Sequence, residues 1–189
     1  MRMLTLLLVL LTGTLARAAD YPRPTKGSFP LRDFRLASGE VIPELQLHYR
    51  TIGAPRKDRR GVVCNAVLIL HGTTGSGANF LRSEFAGELF GEGQPLDATG
   101  HYIILPDSIG HGGSSNPSDG LRSRFPRYGY RDMIVAQHRL LTEGLKVDHL
   151  RLVMGTSMGG MQTWLWGQTY PDFMDALLPL VLCHVLILG

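Results

Sequence analysis

The chain has 189 residues, of which 44% are hydrophobic and 19% charged, a composition that is typical of one globular domain and excludes a disordered protein. The net charge of +3 includes Arg2 and Arg17, which lie in a segment that we expect to be removed, so charge gives no support for a nucleic-acid partner. Two cysteines are too few for a disulfide framework, and seven scattered histidines lack the spacing of metal ligands, so we expect neither a metal nor a cofactor.

The N-terminus has the pattern of a secretory signal peptide. Arg2 supplies a positive start, Leu4 to Leu11 is apolar, and Ala16-Arg17-Ala18 is the small-x-small pattern of a cleavage site. The apolar run is too short to cross a bilayer, and the alternative is an uncleaved N-terminal anchor. We expect residues 1–18 to be removed and residues 19–189 to be exported to the periplasm or the exterior, without stable membrane insertion.

A β-hairpin is expected after a proline-rich lead-in. Tyr21 to Pro30 predicts an extended segment, and the alternation of apolar and polar residues at Phe34 to Leu36 and Leu45 to Arg50 predicts two half-buried strands. Ser38-Gly39 supplies the turn between them. His48 lies on the polar phase of the second strand, so we expect it to face solvent.

Two continuous apolar runs predict central strands of a parallel sheet, because strands covered on both faces have this composition. They are Ala66 to Leu70 and Tyr102 to Leu105. A glycine-rich loop, His71 to Gly77, follows the first strand, and a longer loop, Pro106 to Ser115, follows the second. The helical spacing of apolar residues over Phe80 to Phe90 predicts a helix between the two strands.

Several polar residues after these strands have a structural interpretation. Asp107 and His111 are residue types that occur in catalytic sites, but short polar residues among glycines make local turn hydrogen bonds, and we favour that role. A second helix is predicted over Arg131 to Leu145, packed on the sheet. His138 and His149 are expected at the surface.

The pattern most specific for function lies between Leu150 and Tyr170. An apolar run, Leu150 to Met154, meets Gly155-Thr156-Ser157-Met158-Gly159, and a helical segment follows until Pro171. A G-x-S-x-G match by itself is a weak signal, and the alternative is an ordinary glycine-rich turn; the strand before it and the helix after it support a nucleophile elbow.

A nucleophile elbow predicts the roles of the residues in it and beside it. Gly155 and Gly159 leave room where strand and helix approach closely, and Ser157 is the candidate nucleophile. The backbone N–H of Met158, at the start of the helix, is suited to stabilise an oxyanion, and the loop after the first central strand supplies the second donor, which by position is the N–H of Thr73. His71 precedes that donor and is expected to be structural.

The alternation of strands and helices predicts an α/β fold with a mostly parallel sheet and helices on both faces. Ligands of such sheets bind beyond the carboxyl ends of the strands. The loops that contain Thr73, Asp107 and Ser157 all follow strand ends, so we expect them to converge at one edge of the sheet.

These residues carry a resemblance. The order of His71-Gly72, the loop Asp107 to Ser115 and the elbow Gly155 to Gly159 resembles the α/β-hydrolase fold. A closer similarity, to the homoserine O-acetyltransferase-like branch, lies in three groups: Arg131-Asp132-Met133 with Gln137, Ser157 to Gln162, and Tyr170-Pro171-Asp172. The resemblance implies that Ser157 is acylated and that the N–H groups of Thr73 and Met158 hold the oxyanion. The acetyltransferases usually carry leucine where Thr73 stands.

Two enzyme classes share this acyl-serine chemistry. In a serine hydrolase, water resolves the acyl-enzyme of a small acyl ester; in an O-acyltransferase of the homoserine type, a substrate hydroxyl does so and an acyl thioester is the donor. The signal peptide favours hydrolysis, because acyl-coenzyme A is a cytosolic metabolite. A non-catalytic hydrolase-like domain is the third interpretation.

The rest of a catalytic triad is expected after the elbow, since this fold orders its residues as serine, then acid, then histidine. Asp172 and Asp175 follow the elbow helix too early to be the acid, and His184 lies inside the apolar run Val181 to Leu188. We therefore expect a truncated chain, without the later strands and the cap region, that is poorly soluble and inactive.

Overall fold

The structure is a computed structural model that describes residues 20–180. The predicted signal peptide and the apolar run Val181 to Leu188, with His184, lie outside the described residues. Within them the strands are β1 (Thr25–Arg35), β2 (Val41–Ile52), β3 (Ala66–Leu70), β4 (Tyr102–Pro106), β5 (Leu152–Thr156) and β6 (Leu177–Leu180), and the α-helices are α1 (Ser83–Leu89), α2 (Tyr130–Arg139) and α3 (Met158–Thr169).

The six strands of the described chain form one mixed sheet in the order β1-β2-β4-β3-β5-β6. Strand β3 pairs in parallel with β4 on one side and with β5 on the other, and β6 extends the parallel part beyond β5. The β1-β2 hairpin adds to β4 in antiparallel orientation. The predicted α/β fold with a mostly parallel sheet is confirmed.

Alternate residues of the central strands face opposite sides of the sheet, as strand geometry requires. Leu68 and Ile104 pack in one cluster with side chains of α2 and α3. Val67 and Ile103 pack in another cluster with Ala86 of α1. The sheet is therefore covered on both faces, which explains why β3 and β4 are apolar throughout.

The hairpin is longer than predicted. Strand β1 begins at Thr25, so most of the proline-rich lead-in is paired strand, with Pro30 opposite Gln46. Proline is tolerated there because β1 is an edge strand of the described sheet and part of its backbone needs no ladder partner. Leu31 and Leu45 pack against side chains of α2, which attaches the hairpin to the rest of the core.

The first two of the three predicted helices are shorter and less regular than their apolar spacing indicated. The first is divided into a 3-10 turn, Gly77–Leu81, and α1, because Arg82 between them has an extended backbone (φ −69°, ψ 151°). The second, α2, continues into a π-helical turn, Leu140–Gly144. Among the described residues, no helix is long and apolar enough to cross a membrane.

Two of the expected surface histidines are partly covered by other residues. The imidazole of His138 stacks on the ring of Tyr170, with centroids 4.1 Å apart and planes 10° from parallel, and its burial lowers its pKa. The side chain of His48 is only 19% exposed, and its Nδ1 lies 3.4 Å from Oδ2 of Asp107. The expectation that His48 faces solvent was wrong, because Asp107 and the loop after β4 cover its side chain. His138 is partly exposed. His149 remains partly exposed and contacts the carboxylate of Asp175 at 2.8 Å.

Candidate active site

Ser157 forms a one-residue turn between β5, which ends at Thr156, and α3, which begins at Met158. Its backbone has φ 53° and ψ −116°, a conformation that is strained for any residue with a Cβ atom. Two hydrogen bonds hold the turn: the N–H of Ser157 donates to the carbonyl of Leu180 (3.0 Å), and its carbonyl accepts from the N–H of Met161 (3.1 Å). The side chain is exposed at the carboxyl end of β5.

Glycines allow the strand and the helix to approach at this turn. A Cβ atom on Gly155 would lie 2.3 Å from the carbonyl oxygen of Gly159, and one on Gly159 would lie 2.0 Å from the carbonyl oxygen of Leu70. A side chain at either position would collide with backbone, which cannot rotate away. The close packing therefore brings the start of α3 against the end of β3.

The loop after β3 lies directly beside the serine. A Cβ atom on Gly72 would be 3.5 Å from the Cβ atom of Ser157, so the peptide between Gly72 and Thr73 borders the elbow. Thr73 is exposed. Within residues 20–180, no hydrogen bond engages the N–H of Thr73 or the N–H of Met158. Two free backbone donors beside an exposed serine oxygen are an arrangement suited to an oxyanion.

Asp107, at the end of β4, is a fully buried structural carboxylate. Its Oδ1 accepts from the N–H of Gly77 (2.8 Å) and from the guanidinium of Arg50 (3.0 Å), and its Oδ2 accepts from the N–H of Gly113 (2.8 Å). It thus joins β2, β4 and two loops. Its lone pairs are occupied by these donors, in agreement with the structural interpretation of the sequence.

His71 is also buried, with both ring nitrogens in hydrogen bonds. The N–H of Ser108 donates to Nε2 (2.9 Å), and Nδ1 lies 2.8 Å from the carbonyl oxygen of Gly72. Burial lowers its pKa, as does the imidazole of His111, whose centroid is 5.2 Å away. The Nδ1 of His111 contacts the carbonyl of Ile109 (3.0 Å).

A buried amide network behind the elbow was not predicted as such. The indole N–H of Trp166 donates to Oε1 of Gln137 (2.9 Å), and Nε2 of Gln137 donates to Oε1 of Gln162 (2.7 Å). This network joins α2 to α3, and the hydroxyl of Ser108 lies 3.5 Å from Oε1 of Gln162. The signal in the sequence was the presence of one glutamine in each of the two helices among the residues that become buried.

A base for the serine is not found in the described part of the chain. Among residues 20–180, no side chain forms a hydrogen bond with the hydroxyl of Ser157. Those residues also contain no group of three or more His, Cys, Asp or Glu side chains arranged to hold a metal. The described site consists of an exposed serine with a strained backbone and of two backbone donors.

The chain belongs to the α/β-hydrolase family: residues 65–180 match the family model described as the alpha/beta hydrolase fold. Within that family its similarities lie in the homoserine O-acetyltransferase-like branch. It is 38% identical over 154 residues to a probable acyltransferase of Methanothermobacter thermautotrophicus, covering 81% of this chain and 47% of the relative. It is 37% identical over 155 residues to a homoserine O-acetyltransferase of Chlorobaculum parvum, covering 78% and 41%.

A solved structure supports the assignment of the fold. The chain superimposes on an acetylester hydrolase from Corynebacterium glutamicum with a TM-score of 0.70 and 28% identity, covering 82% of this chain and 43% of that one. This chain therefore spans less than half the length of the relatives that it matches.

Proposed function

We propose that this protein is a serine hydrolase that cleaves a small acyl ester through an acyl-serine intermediate. The hydroxyl oxygen of Ser157 attacks the ester carbonyl, and the N–H groups of Met158 and Thr73 stabilise the oxyanion. The C–O bond to the alcohol then breaks, the alcohol leaves with a proton, and water releases the acid from the serine. The strained backbone of Ser157 beside two free N–H groups is the observation that carries this proposal.

We also propose that the chain of 189 residues is a slow catalyst. Without a base to take its proton, a serine hydroxyl is a poor nucleophile, and no described residue is placed to act as one. Loss of a triad member still leaves about 10³–10⁴-fold catalysis over water, which comes from the oxyanion hole and from binding. We therefore expect the chain to have reduced activity at this site and not to be without activity.

An O-acyltransferase is the second candidate, because two of the relatives described above are named as a probable acyltransferase and a homoserine O-acetyltransferase. In that case a substrate hydroxyl replaces water in the second step. The third candidate is a non-catalytic hydrolase-like domain, which would account for the lack of a base hydrogen-bonded to Ser157 among residues 20–180. Export after cleavage behind Ala18 is part of the proposal, and intact-mass measurement of the secreted protein tests it, since a mass that includes Met1 would contradict it.

One experiment separates the three candidates. Purified chain is incubated with p-nitrophenyl acetate, and separately with acetyl-coenzyme A and homoserine. S157A is tested in parallel, together with a control, S123A, at an exposed residue of the 3-10 turn Arg122–Arg124. A hydrolase releases nitrophenolate in a reaction that S157A slows to a background independent of Ser157 and that S123A retains. Homoserine-dependent release of coenzyme A without ester hydrolysis would identify a transferase, and no reaction that depends on Ser157 would identify a non-catalytic domain.

A fluorophosphonate probe then measures how reactive the serine is. We expect slow labelling of Ser157, because the probe reacts with an activated serine and no described group takes its proton. Rapid, stoichiometric labelling would show that a base exists in the chain. His111 would then be the first residue to replace.

A further inference from the structure

The hydrogen bonds of His71 determine which of its ring nitrogens carries the proton. The N–H of Ser108 points at Nε2, and an amide N–H only donates, so Nε2 is the unprotonated nitrogen. Nδ1 therefore carries the hydrogen, and it donates to the carbonyl oxygen of Gly72. The imidazole is neutral, with a tautomer assigned by the chemistry of its two partners.

The carbonyl of Gly72 belongs to the same peptide unit as the N–H of Thr73. In a planar trans peptide these two groups point in opposite directions, so fixing one fixes the other. The carbonyl oxygen of Gly72 accepts two hydrogen bonds, from Nδ1 of His71 (2.8 Å) and from the N–H of Gly75 (3.0 Å). The N–H of Thr73 is therefore held in the same peptide plane, pointing away from the carbonyl of Gly72.

The same peptide lies against the elbow, since a Cβ atom on Gly72 would be 3.5 Å from that of Ser157. We propose that His71 is a positioning residue that orients the Gly72–Thr73 peptide and so fixes the direction of the second oxyanion donor. This inference rests on the proposed function, in which the Thr73 N–H stabilises the oxyanion. His71 itself touches neither substrate nor nucleophile in this proposal; it acts through the peptide that follows it.

The environment of His71 fits a role that needs the neutral ring. A protonated imidazole would present a hydrogen to the N–H of Ser108, and that bond would become a repulsion inside the core. Burial is the largest effect on the pKa of His71 and lowers it. The hydrogen bond to the carbonyl of Gly72 raises the pKa, the imidazole of His111 lowers it, and the carboxylate of Asp107 raises it.

The first test is direct observation of the proton and of the peptide. Nitrogen-15 NMR of the imidazole should show His71 in the Nδ1–H form, and a crystal structure of H71L should show the Gly72–Thr73 peptide rotated relative to the unsubstituted protein. A proton on Nε2, or an unchanged peptide orientation in H71L, would overturn the proposal. Neither measurement depends on catalytic activity.

The second test uses rates. Removal of a whole oxyanion donor costs about 10²–10³-fold in kcat, and loosening one should cost less, on the order of tenfold. We expect H71L to lower kcat for p-nitrophenyl acetate by that amount while KM stays nearly constant, as for an interaction formed only in the transition state. H71N, whose amide can donate to the Gly72 carbonyl, should recover part of the rate.

The matched control is H101L, since Nδ1 of His101 also contacts a backbone carbonyl, that of Asp97 at 3.0 Å, in the loop that precedes β4. H101L should leave kcat unchanged. A rise in KM alone in H71L, or an equal loss in H101L, would refute the positioning role. If H71L fails to fold, H71N and the NMR measurement decide. If no ester reaction depends on Ser157, the proposed function fails, while the tautomer and the peptide orientation still decide the role of His71.

Discussion

Because α3 and β3 are in close contact at Gly159, a single added methyl group there should lower the free energy of unfolding substantially. A Cβ atom on Gly159 would lie 2.0 Å from the carbonyl oxygen of Leu70, whereas carbon and oxygen atoms without a covalent bond approach to about 3.3 Å. Because the obstacle is backbone in a central strand, G159A must displace the start of α3 by about 1 Å. Overpacking of this kind costs about 1–3 kcal/mol, and we expect a net loss near the middle of that range after the helix-propensity gain of alanine.

The measurement is thermal unfolding beside a matched variant. Gly87 lies in α1, and a Cβ atom there would meet nothing nearer than the Cβ atom of Ser83 at 3.9 Å. G87A should therefore gain the helix propensity of alanine without a collision, about 0.5–1 kcal/mol. For a domain of this size 1 kcal/mol shifts Tm by about 2–4 °C, so we expect G159A to lower Tm by about 4–8 °C and G87A to raise it slightly.

The displacement also predicts a loss of function. The N–H of Met158 is at the start of α3, and misplacement of a catalytic group by 1 Å can cost about 10²-fold in rate. G159A should therefore lower Ser157-dependent hydrolysis by about that factor even at temperatures where it is folded. If G159A unfolds at the same temperature as the unsubstituted chain, the contact is not as tight as described and the reasoning is wrong.

Three further substitutions or conditions test the site. S157G removes the Cβ strain of about 1–3 kcal/mol, but glycine loses more backbone entropy on folding than serine does. Chemical denaturation should therefore show S157G to be more stable than the unsubstituted chain by about 1 kcal/mol and S157A to be unchanged. D107N leaves buried donors unpaired and should cost about 3–5 kcal/mol in the same assay, whereas the control D172N, at an exposed residue, should have no effect. The pKa values of His71 and His138 are lowered by burial, so the unfolded chain takes up protons before the folded chain as pH falls. Their contribution to stability should be full above about pH 6.5 and decrease below it, and the decrease should be smaller in H71L. A stability that does not change with pH would contradict both pKa shifts.

The central sheet was predictable because its signals are local. Strand β3 has the predicted bounds, Ala66 to Leu70, and β4 differs by one residue, since continuous apolar runs end at polar or glycine-rich loops. The hairpin was less predictable: β1 includes Pro30, which by composition indicates an unpaired segment. Proline is compatible with a strand only at an edge, and edge position is a property of the whole sheet.

At the site, the elbow was predictable and its surroundings were not. Residues Gly155 to Gly159 determine strain and close packing within five consecutive positions. The pairs His48 with Asp107 and Gln137 with Gln162 are separated by 59 and 25 residues, so they meet only when the sheet and helices have assembled. Periodicity indicates which face a residue occupies, but it does not indicate which distant element covers that face.

Oxyanion stabilisation depends on backbone groups and proton transfer depends on a side chain, and esters with different leaving groups distinguish these two contributions. Oxyanion stabilisation needs only backbone N–H groups, which Thr73 and Met158 leave free, and it is worth about 4–5 kcal/mol if it yields 10³–10⁴-fold catalysis. Proton transfer needs a side chain that no described residue supplies. A nitrophenolate leaves without a proton, whereas an alkoxide leaves only when an acid protonates it.

We therefore expect the chain to hydrolyse p-nitrophenyl acetate measurably and ethyl acetate not at all above the S157A background. Acetic acid release is measured for both esters, because it reports on the same acyl group with two leaving groups. Comparable rate enhancements for the two esters would refute this reasoning, since they would require an acid and a base that act on Ser157. A rate enhancement for p-nitrophenyl acetate alone would show that residues 20–180 contribute oxyanion stabilisation and not proton transfer.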